Sequence, residues 1–416
     1  MHKQWLSALT GVVVLWTCAV QAGGAGNTVT DSIVDSIANG DIHLSFRYRY
    51  EFVDDDLFDD NAHASTLKSR LTFAPAPIGH WGFLAELDDV RYIGNDTFNN
   101  TRNGDVTRPL VADPFGTDLN QALVTYTGLG PANIGFGRQR IDRGNERFVG
   151  GHAWRQNEQT FDSLVVDFEL AGPLQASYAY IFSVNRIYGP ERGSPARDLA
   201  TNIHLADVRY EFGKALNLSG LIYLMDFTDV ETFSNSTVGI GADGHFDLVH
   251  GMALSYDAQY AKQQDYGDNP VNYDADYLLF EAALNFARLP FGFAIGYEEL
   301  GAGNVTGGGF RTPLASLHKF QGWADRFAAV SSFGLNEGVE DLYFGASAQL
   351  FGGEFLARAH DFQANSGGRD WGTELDLSAS WAFLDHYGMT FSYAGFDADS
   401  FGTDVRKFWA QFSARF

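Results

Sequence analysis

Basic residues recur at every second position in two neighbouring segments near the N-terminus. Arg47 and Arg49 alternate with aromatic residues, and shortly afterwards Lys68 and Arg70 lie between leucines. Because the side chains of a strand alternate between its faces, each basic pair points to one side. Guanidinium and ammonium groups bind carboxylates, arginine through two parallel hydrogen bonds. The spacing therefore predicts a basic face that can bind carboxylate groups.

Arg209 and Arg358 are two further basic residues in alternating segments, and we predict that they face the same way. Acidic residues share that face, namely Glu51, Glu86, Asp88, Asp207 and Glu211. A single arginine there fits a substrate pathway or an ion pair within the wall equally well. For the cluster of four described above, the pathway is the favoured interpretation.

His318, Trp323 and Asp325 stand out in the glycine- and aromatic-rich segment 307–327. His and Asp are seven positions apart, with no serine or second carboxylate spaced for catalysis, so we do not expect an enzyme. The glycines permit backbone conformations that other residues avoid. We predict a folded loop that packs into or over a pore as a gate.

No metal-ligand spacing is present, and we expect no cofactor. Acidic patches at 54–60 and 226–231 are interpreted as solvated loops. The alternative is a loop-bound divalent cation such as Ca²⁺, bridging to an anionic surface polysaccharide.

The composition excludes several classes of protein. The chain of 416 residues carries a net charge of −24, which argues against a nucleic-acid partner. Its 46 glycines and 15% aromatic residues suit many strands joined by tight turns. The single cysteine, Cys18, lies within the N-terminal 22 residues, so disulfides and thiol chemistry are excluded from the remainder.

The N-terminus has the pattern of an export signal. Lys3 precedes an apolar stretch that ends near Ala22, and we predict a signal peptide at 1–22. Residues 23–40 are predicted to be a periplasmic lead-in, disordered or forming a short helix at a barrel mouth. The domain 41–416 contains no apolar run long enough for a membrane helix, so a membrane span requires a closed barrel.

Alternation of apolar and polar residues continues to the last residue. In 405–416, for example, Phe408, Phe412 and Phe416 share one face, and the opposite face carries Lys407 and Arg415. We predict an all-β protein, a transmembrane antiparallel up-and-down barrel of about eighteen strands, with sixteen as the alternative. Connections alternate between long and short along the chain. Transmembrane barrels sort their connections in this way, with long extracellular loops and short periplasmic turns.

Two segments resemble the alginate-export family of outer-membrane proteins. The first, 137–162, carries Gly-Arg-Gln, Arg-Phe-Val-Gly and Trp-Arg-Gln, and the second, 307–327, carries Pro-Leu, His318 and Gly-Trp-Ala-Asp. The resemblance implies an 18-stranded monomeric barrel whose lumen conducts an anionic polysaccharide outward. It also implies lumen roles for four residues of the first segment, Arg138, Arg140, Arg147 and Arg155.

Three functions remain open at this point. The first is a channel for an alginate-like polyuronate, the second a general or selective porin for small acidic solutes, and the third an adhesin or outer-membrane enzyme. The expected surroundings are the lipid and lipopolysaccharide of a Gram-negative outer membrane. An exporter is further expected to work with a periplasmic scaffold and an inner-membrane synthase.

Overall fold

Antiparallel strands account for most of the chain in a computed structural model, which describes residues 29–170, 172–286 and 289–416. The predicted signal peptide lies outside the described residues. The strands are β1 Asp41–Asp55, β2 Ala62–Ala74, β3 Trp81–Thr97, β4 Gly116–Leu129, β5 Ala132–Gln139, β6 Thr160–Glu169, β7 Leu174–Asn185, β8 Asp198–Gly213, β9 Leu216–Phe227, β10 Asn235–Asp247, β11 Met252–Asp265, β12 Asp274–Phe286, β13 Phe291–Leu300, β14 Val339–Leu350, β15 Gly353–Gln363, β16 Asp370–Phe383, β17 Tyr387–Ala398 and β18 Val405–Arg415.

The strands form one closed sheet, because each pairs with its sequence neighbours and β1 also pairs with β18. The seam runs from Ser45 opposite Arg415 to Asp55 opposite Val405. It is extended by Phe416, whose amide donates to the Leu44 carbonyl at 2.8 Å and whose carbonyl accepts from the Leu44 amide at 3.0 Å. The predicted barrel is confirmed, with eighteen strands rather than sixteen.

Apolar and polar side chains separate across the wall. Phe293, Ile295 and Phe344 are exposed on the outer face, as a lipid-facing surface requires. Charged residues such as Arg49 and Asp376 are buried on the inner face. The core of this protein is therefore the filled lumen. Among the described residues, no helix is both long and apolar enough to cross a bilayer.

Several strands extend further at the long-loop end than alternation predicted. In β1 the alternation of aromatic and polar residues ends at Phe52, yet the strand reaches Asp55, because Asp54 and Asp55 still pair with Arg406 and Val405. Such polar ends lack the apolar alternation that marks a lipid-facing segment, yet their backbone groups complete the ladder. The loop between β1 and β2 is therefore confined to 56–61.

The connections follow the predicted order of long and short. Short turns such as 130–131, 214–215 and 351–352 contrast with the long loops 98–115, 140–159 and 301–338. Helix α1 spans Val29–Ala38, before the first strand. Helix α2 spans Ala328–Phe333 and lies within the loop 301–338.

Helix α1 sits at the short-turn end of the barrel. Its Ser36 carbonyl accepts from the Ala76 amide at 2.8 Å, and Gly40 packs against Pro75. Of the two alternatives for the lead-in, the structure has the short helix at Val29–Ala38. Residues 23–28 lie outside the described part.

A charge on the outer face of β14 should destabilise the barrel in a lipid bilayer. Phe344 is 54% exposed near the middle of the strand, where we expect Phe344→Arg to lower the free energy of unfolding by about 2–4 kcal/mol. Ser347→Arg, on the lumen face of the same strand, should change it by less than about 0.5 kcal/mol. Urea titration in vesicles measures the free energy of unfolding of both variants. An equal decrease in the two would contradict the assignment of the outer and lumen faces.

Candidate functional site

The loops 140–159 and 301–338 fold into the lumen and bind each other there. We call the pair the plug. Gly150 donates its amide to the Leu314 carbonyl at 2.9 Å, and Val149 pairs with Leu314 in a parallel bridge. Ser316 donates its amide to the Glu146 carbonyl at 3.1 Å. The plug also contacts inward-facing residues on opposite walls of the barrel, so it lies inside the ring of strands.

Glu158 anchors the first plug loop to the wall. Its carboxylate lies 2.9 Å from the Lys68 ammonium, 2.7 Å from the Arg70 guanidinium and 2.6 Å from that of Arg140. Burial alone raises the pKa of a carboxyl, but these three cations outweigh it and hold the pKa of Glu158 well below its usual range. The anchor is therefore ionic throughout the neutral range.

Asp325 anchors the second plug loop and gathers residues that are distant in sequence. It accepts from His318 Nδ1 at 2.8 Å and from Lys407 Nζ at 2.8 Å, and Arg155 lies 3.4 Å away. Burial opposes ionisation of Asp325, yet the charges of His318, Lys407 and Arg155 hold its pKa well below the ordinary value. Trp323 belongs to the same cluster, since its indole ring is nearly parallel to the His318 imidazole, with the ring centroids 6.4 Å apart.

Two inward-facing carboxylates of β16 bind the plug backbone. Asp376 accepts from the Trp323 amide at 3.1 Å, and Glu374 accepts from the Ala324 amide at 2.7 Å. The loop approaches so closely that a Cβ on Gly322, whose φ is +78°, would lie 2.4 Å from the Glu374 carboxylate. Only glycine fits at this position without strain. The expected packing of 307–327 into the pore thus matches what the structure shows.

A basic chamber of about 600 Å³ lies at the short-turn end of the lumen, beside the turn 384–386. Arg47, Lys68, Arg70 and Arg415 line it together with two carboxylates, Glu158 and Asp385, so positive charges exceed negative ones by two. Arg47 donates to Gln156 Oε1 at 2.9 Å and to the Ala153 carbonyl at 2.8 Å rather than to a carboxylate. Three of the four residues in the predicted cluster therefore face this one space.

An acidic chamber of about 770 Å³ lies on the opposite side, against β6 to β11. Arg209 faces it and is paired with Asp243 at 2.6 Å. The other charged residues that line it include Asp142, Arg143, Asp167, Glu169, Asp207 and Asp257. The lumen is therefore basic on one side and mainly acidic on the other.

The remaining predicted site residues occupy different environments. Arg138 pairs in register with Ala122 on the face that carries Phe136, and it binds Asp162 at 2.7 Å. This face is the outer one, so we leave Arg138 out of the pathway. Arg147 is buried within the plug and binds Glu298 at 2.8 Å. Arg358 lies over the Tyr343 ring at 4.8 Å and lines a smaller cavity of about 230 Å³.

The acidic loops show no arrangement that favours a metal. Within the described ranges, no group of three or more His, Asp or Glu side chains is placed to hold a metal ion. Asp55, from the first acidic patch, instead binds Arg326 at 3.1 Å and Thr403 at 2.6 Å. The Ca²⁺ alternative therefore receives no support from this patch.

A closed barrel of eighteen antiparallel strands, apolar outside and polar within, defines an outer-membrane β-barrel protein. Residues 39–182 match the family model described as alginate export, which confirms the predicted resemblance over that range. The match includes β1 to most of β7 and the first plug loop. The second segment in which the sequence analysis found a resemblance, 307–327, lies outside the matched range.

Solved structures of outer-membrane proteins share the fold. Acinetobacter baumannii OccAB4 superposes with a TM-score of 0.70 at 13% identity, covering 91% of this chain and 98% of that one. Pseudomonas aeruginosa OpdL gives a TM-score of 0.66 at 14% identity, covering 91% and 99%. P. aeruginosa OpdK with vanillate gives 0.68 at 13% identity, with the same coverage. No curated protein sequence matches the chain significantly.

Proposed function

We propose that the protein is a selective channel that passes a small acidic solute, such as a uronate or another carboxylate, across the outer membrane. The observation that carries this proposal is the basic chamber, in which Arg47, Lys68, Arg70 and Arg415 face one water-accessible space. Positive side chains along a lumen raise the local concentration of anions and guide them through.

The size of the free space favours a small solute. The chamber of about 600 Å³ falls within the range of roughly 300–1,000 Å³ that is typical of small-molecule sites. The plug is anchored in the lumen by the buried carboxylates Glu158 and Asp325. A folded plug leaves room beside it for a solute, whereas a polymer has to thread along the whole pore.

The balance of charge favours passage over retention. Lys68 and Arg70 are each paired with Asp88, at 3.3 and 2.7 Å, and with Glu158, at 2.9 and 2.7 Å, so their attraction for a solute is offset. Arg47 forms no ion pair with a carboxylate among the described residues and donates to neutral acceptors instead. Conduction requires binding that is strong enough for entry and weak enough for release, and a mixed lumen provides it.

One structural neighbour is consistent with such a solute. The OpdK structure contains vanillate, a small aromatic carboxylate, and its barrel resembles this one in fold. We extend from it only the chemical class, a small carboxylate, to the channel proposed here.

A second candidate is a channel for an anionic polysaccharide of the alginate type. The match of residues 39–182 to the alginate-export family favours it, and that segment supplies the basic strands β1 and β2. A polymer of uronates presents a carboxylate on every sugar to the same basic side chains. This function requires the plug to leave the lumen and would involve a periplasmic scaffold and an inner-membrane synthase.

Single-channel recordings in planar bilayers separate the two candidates. We expect glucuronate to interrupt the current briefly, in proportion to its concentration, because one solute at a time occupies the basic chamber. Long polyuronate should not produce events whose duration grows with chain length. Length-dependent events from the short-turn side would instead establish polymer threading. The absence of any response to glucuronate would reject the small-solute channel.

A further inference from the structure

Arg49 is a buried arginine without a charge partner. It is 1% exposed, and its Nη2 donates to Gln411 Oε1 at 2.8 Å. The other two nitrogens, Nε and Nη1, have no hydrogen-bond acceptor among the described residues. Of the acidic groups nearby, Glu51 binds Arg155 at 3.3 Å, and Asp113 accepts from the Gln156 amide at 2.7 Å through Oδ1, while its Oδ2 has no donor in the described part of the chain.

Two tryptophans complete a cluster of unpaired donors around this arginine. The guanidinium of Arg49 lies 4.1 Å from the ring centroid of Trp154, and the rings of Trp154 and Trp409 are 5.6 Å apart. Neither indole Nε1 has an acceptor in the described part of the chain, and Trp409 is 1% exposed. Four unpaired nitrogen donors and one positive charge are therefore buried together.

Two other buried arginines in the plug have more partners than Arg49. Arg147 binds the Glu298 carboxylate at 2.8 Å, and Arg311 donates to the backbone carbonyls of Thr232 and Gly307. Burying a charge without a partner costs several kcal/mol in general, and each unpaired donor adds to that cost. Arg147 and Arg311 also keep nitrogens without an acceptor, but Arg147 is neutralised by a carboxylate and Arg311 donates to two carbonyls. Arg49 has neither a carboxylate within ion-pair distance nor a second acceptor among the described residues.

We propose that Arg49, Trp154 and Trp409 form a binding site for one small monovalent anion, with the chemistry of chloride or a single carboxylate group. An anion accepts hydrogen bonds from the unpaired donors and neutralises the guanidinium. Trp154 belongs to the first plug loop, while Arg49 and Trp409 belong to β1 and β18. The bound anion therefore joins the plug to the wall. This site does not depend on which solute the channel carries.

Anion-dependent stability of the detergent-purified barrel tests the site. We expect chloride, added at constant ionic strength in place of the bulky anion gluconate, to raise the Tm saturably by a few degrees. Arg49→Gln should abolish this rise. Arg209→Gln, which removes one lumen charge in the acidic chamber, should retain it. Formate distinguishes the source of the anion: a response to formate as well as chloride identifies a carboxylate-compatible site, and a response to chloride alone identifies a resident halide.

Bromide supplies a second readout that does not rely on the variant folding. Crystals of the wild-type protein grown in bromide should show an anomalous peak in contact with Arg49 and the two indoles. Bromide peaks on the surface only, or a Tm that responds equally to chloride in the wild-type protein and in Arg49→Gln, would overturn the proposal.

Discussion

Replacing Glu158 by glutamine is expected to raise the single-channel conductance several-fold and to make the open current noisy. Glu158 is the common partner of Lys68, Arg70 and Arg140, so its loss leaves these three cations with only the wall carboxylates Asp88 and Glu86. Breaking a buried ion pair by removing one partner costs about 3–5 kcal/mol. We expect that loss to loosen the attachment of loop 140–159 to the wall at β2 while the strands remain paired.

The matched control for this substitution lies in the same loop. Glu146→Gln removes an ion pair with Lys319, whose side chain is 53% exposed, and such surface pairs contribute about 0–1 kcal/mol. We expect its conductance to equal that of the wild-type protein. If Glu158→Gln also conducts like the wild-type protein, loop 140–159 does not restrict the pore.

The dependence of the conductance on pH is an independent test of the Glu158 anchor. Because the pKa of Glu158 is depressed in the folded protein, its contribution to stability is complete above the ordinary carboxyl pKa of about 4.3. It is lost only as the pH falls through the depressed value. Asp325 behaves in the same direction. We therefore expect a steady conductance between about pH 5 and pH 8, recorded in planar bilayers, and opening within that interval would contradict the anchors.

Reversing two charges in the basic chamber should change the preferred ion. Arg47 and Arg415 both line the chamber, and replacing both by glutamate shifts its charge by four units. We expect the permeability ratio of chloride to potassium to fall by at least about tenfold, because even one unit charge alters the energy of an ion about 4 Å away by about 1 kcal/mol in water. The reversal potential in a KCl gradient measures this ratio.

The control for this experiment carries the same net charge elsewhere. Arg192 lies exposed in the loop 186–197, and Lys214 is exposed in the turn 214–215, so their replacement by glutamate also shifts the chain by four units. Its reversal potential should remain that of the wild-type protein. An equal shift in both double variants would assign selectivity to the overall charge of the barrel rather than to the basic chamber.

The barrel itself could be predicted from sequence because its wall is one residue thick. In β14, Leu342 and Phe344 face lipid while Asp341 and Tyr343 face inward. The alternation within each strand therefore indicates which face meets lipid and which faces the lumen. The ends of the strands are harder to predict from sequence. Asp54 and Asp55 extend β1 beyond the bilayer, where lipid no longer imposes an alternating pattern.

The candidate site could be predicted only in part. Alternation placed Lys68 and Arg70 in the lumen, but it gave no indication of Glu158, which joins them from a loop 90 residues later. The same limit applies to Lys407. Alternation places its side chain on the inner face but does not reveal its ion pair with Asp325. Such contacts depend on the path of a loop through the lumen, which no local pattern records.

Arg49 shows the opposite limit. Its strand position predicted a side chain exposed to the pathway, and it does point inward, yet Trp154 from the plug covers it. Burial inside a barrel is decided by the loops that fill it, so facing the lumen and facing water are different properties. This difference separates the basic chamber, which we assign to transport, from the proposed anion site.

The zero-current potential across a bilayer with a tenfold gradient of potassium glucuronate tests the central claim most directly. In this experiment glucuronate is the only anion that can carry current. If the basic chamber conducts small acidic solutes, the potential will have the sign of anion permeation. A potential at the potassium limit, with no contribution from glucuronate, would contradict the account.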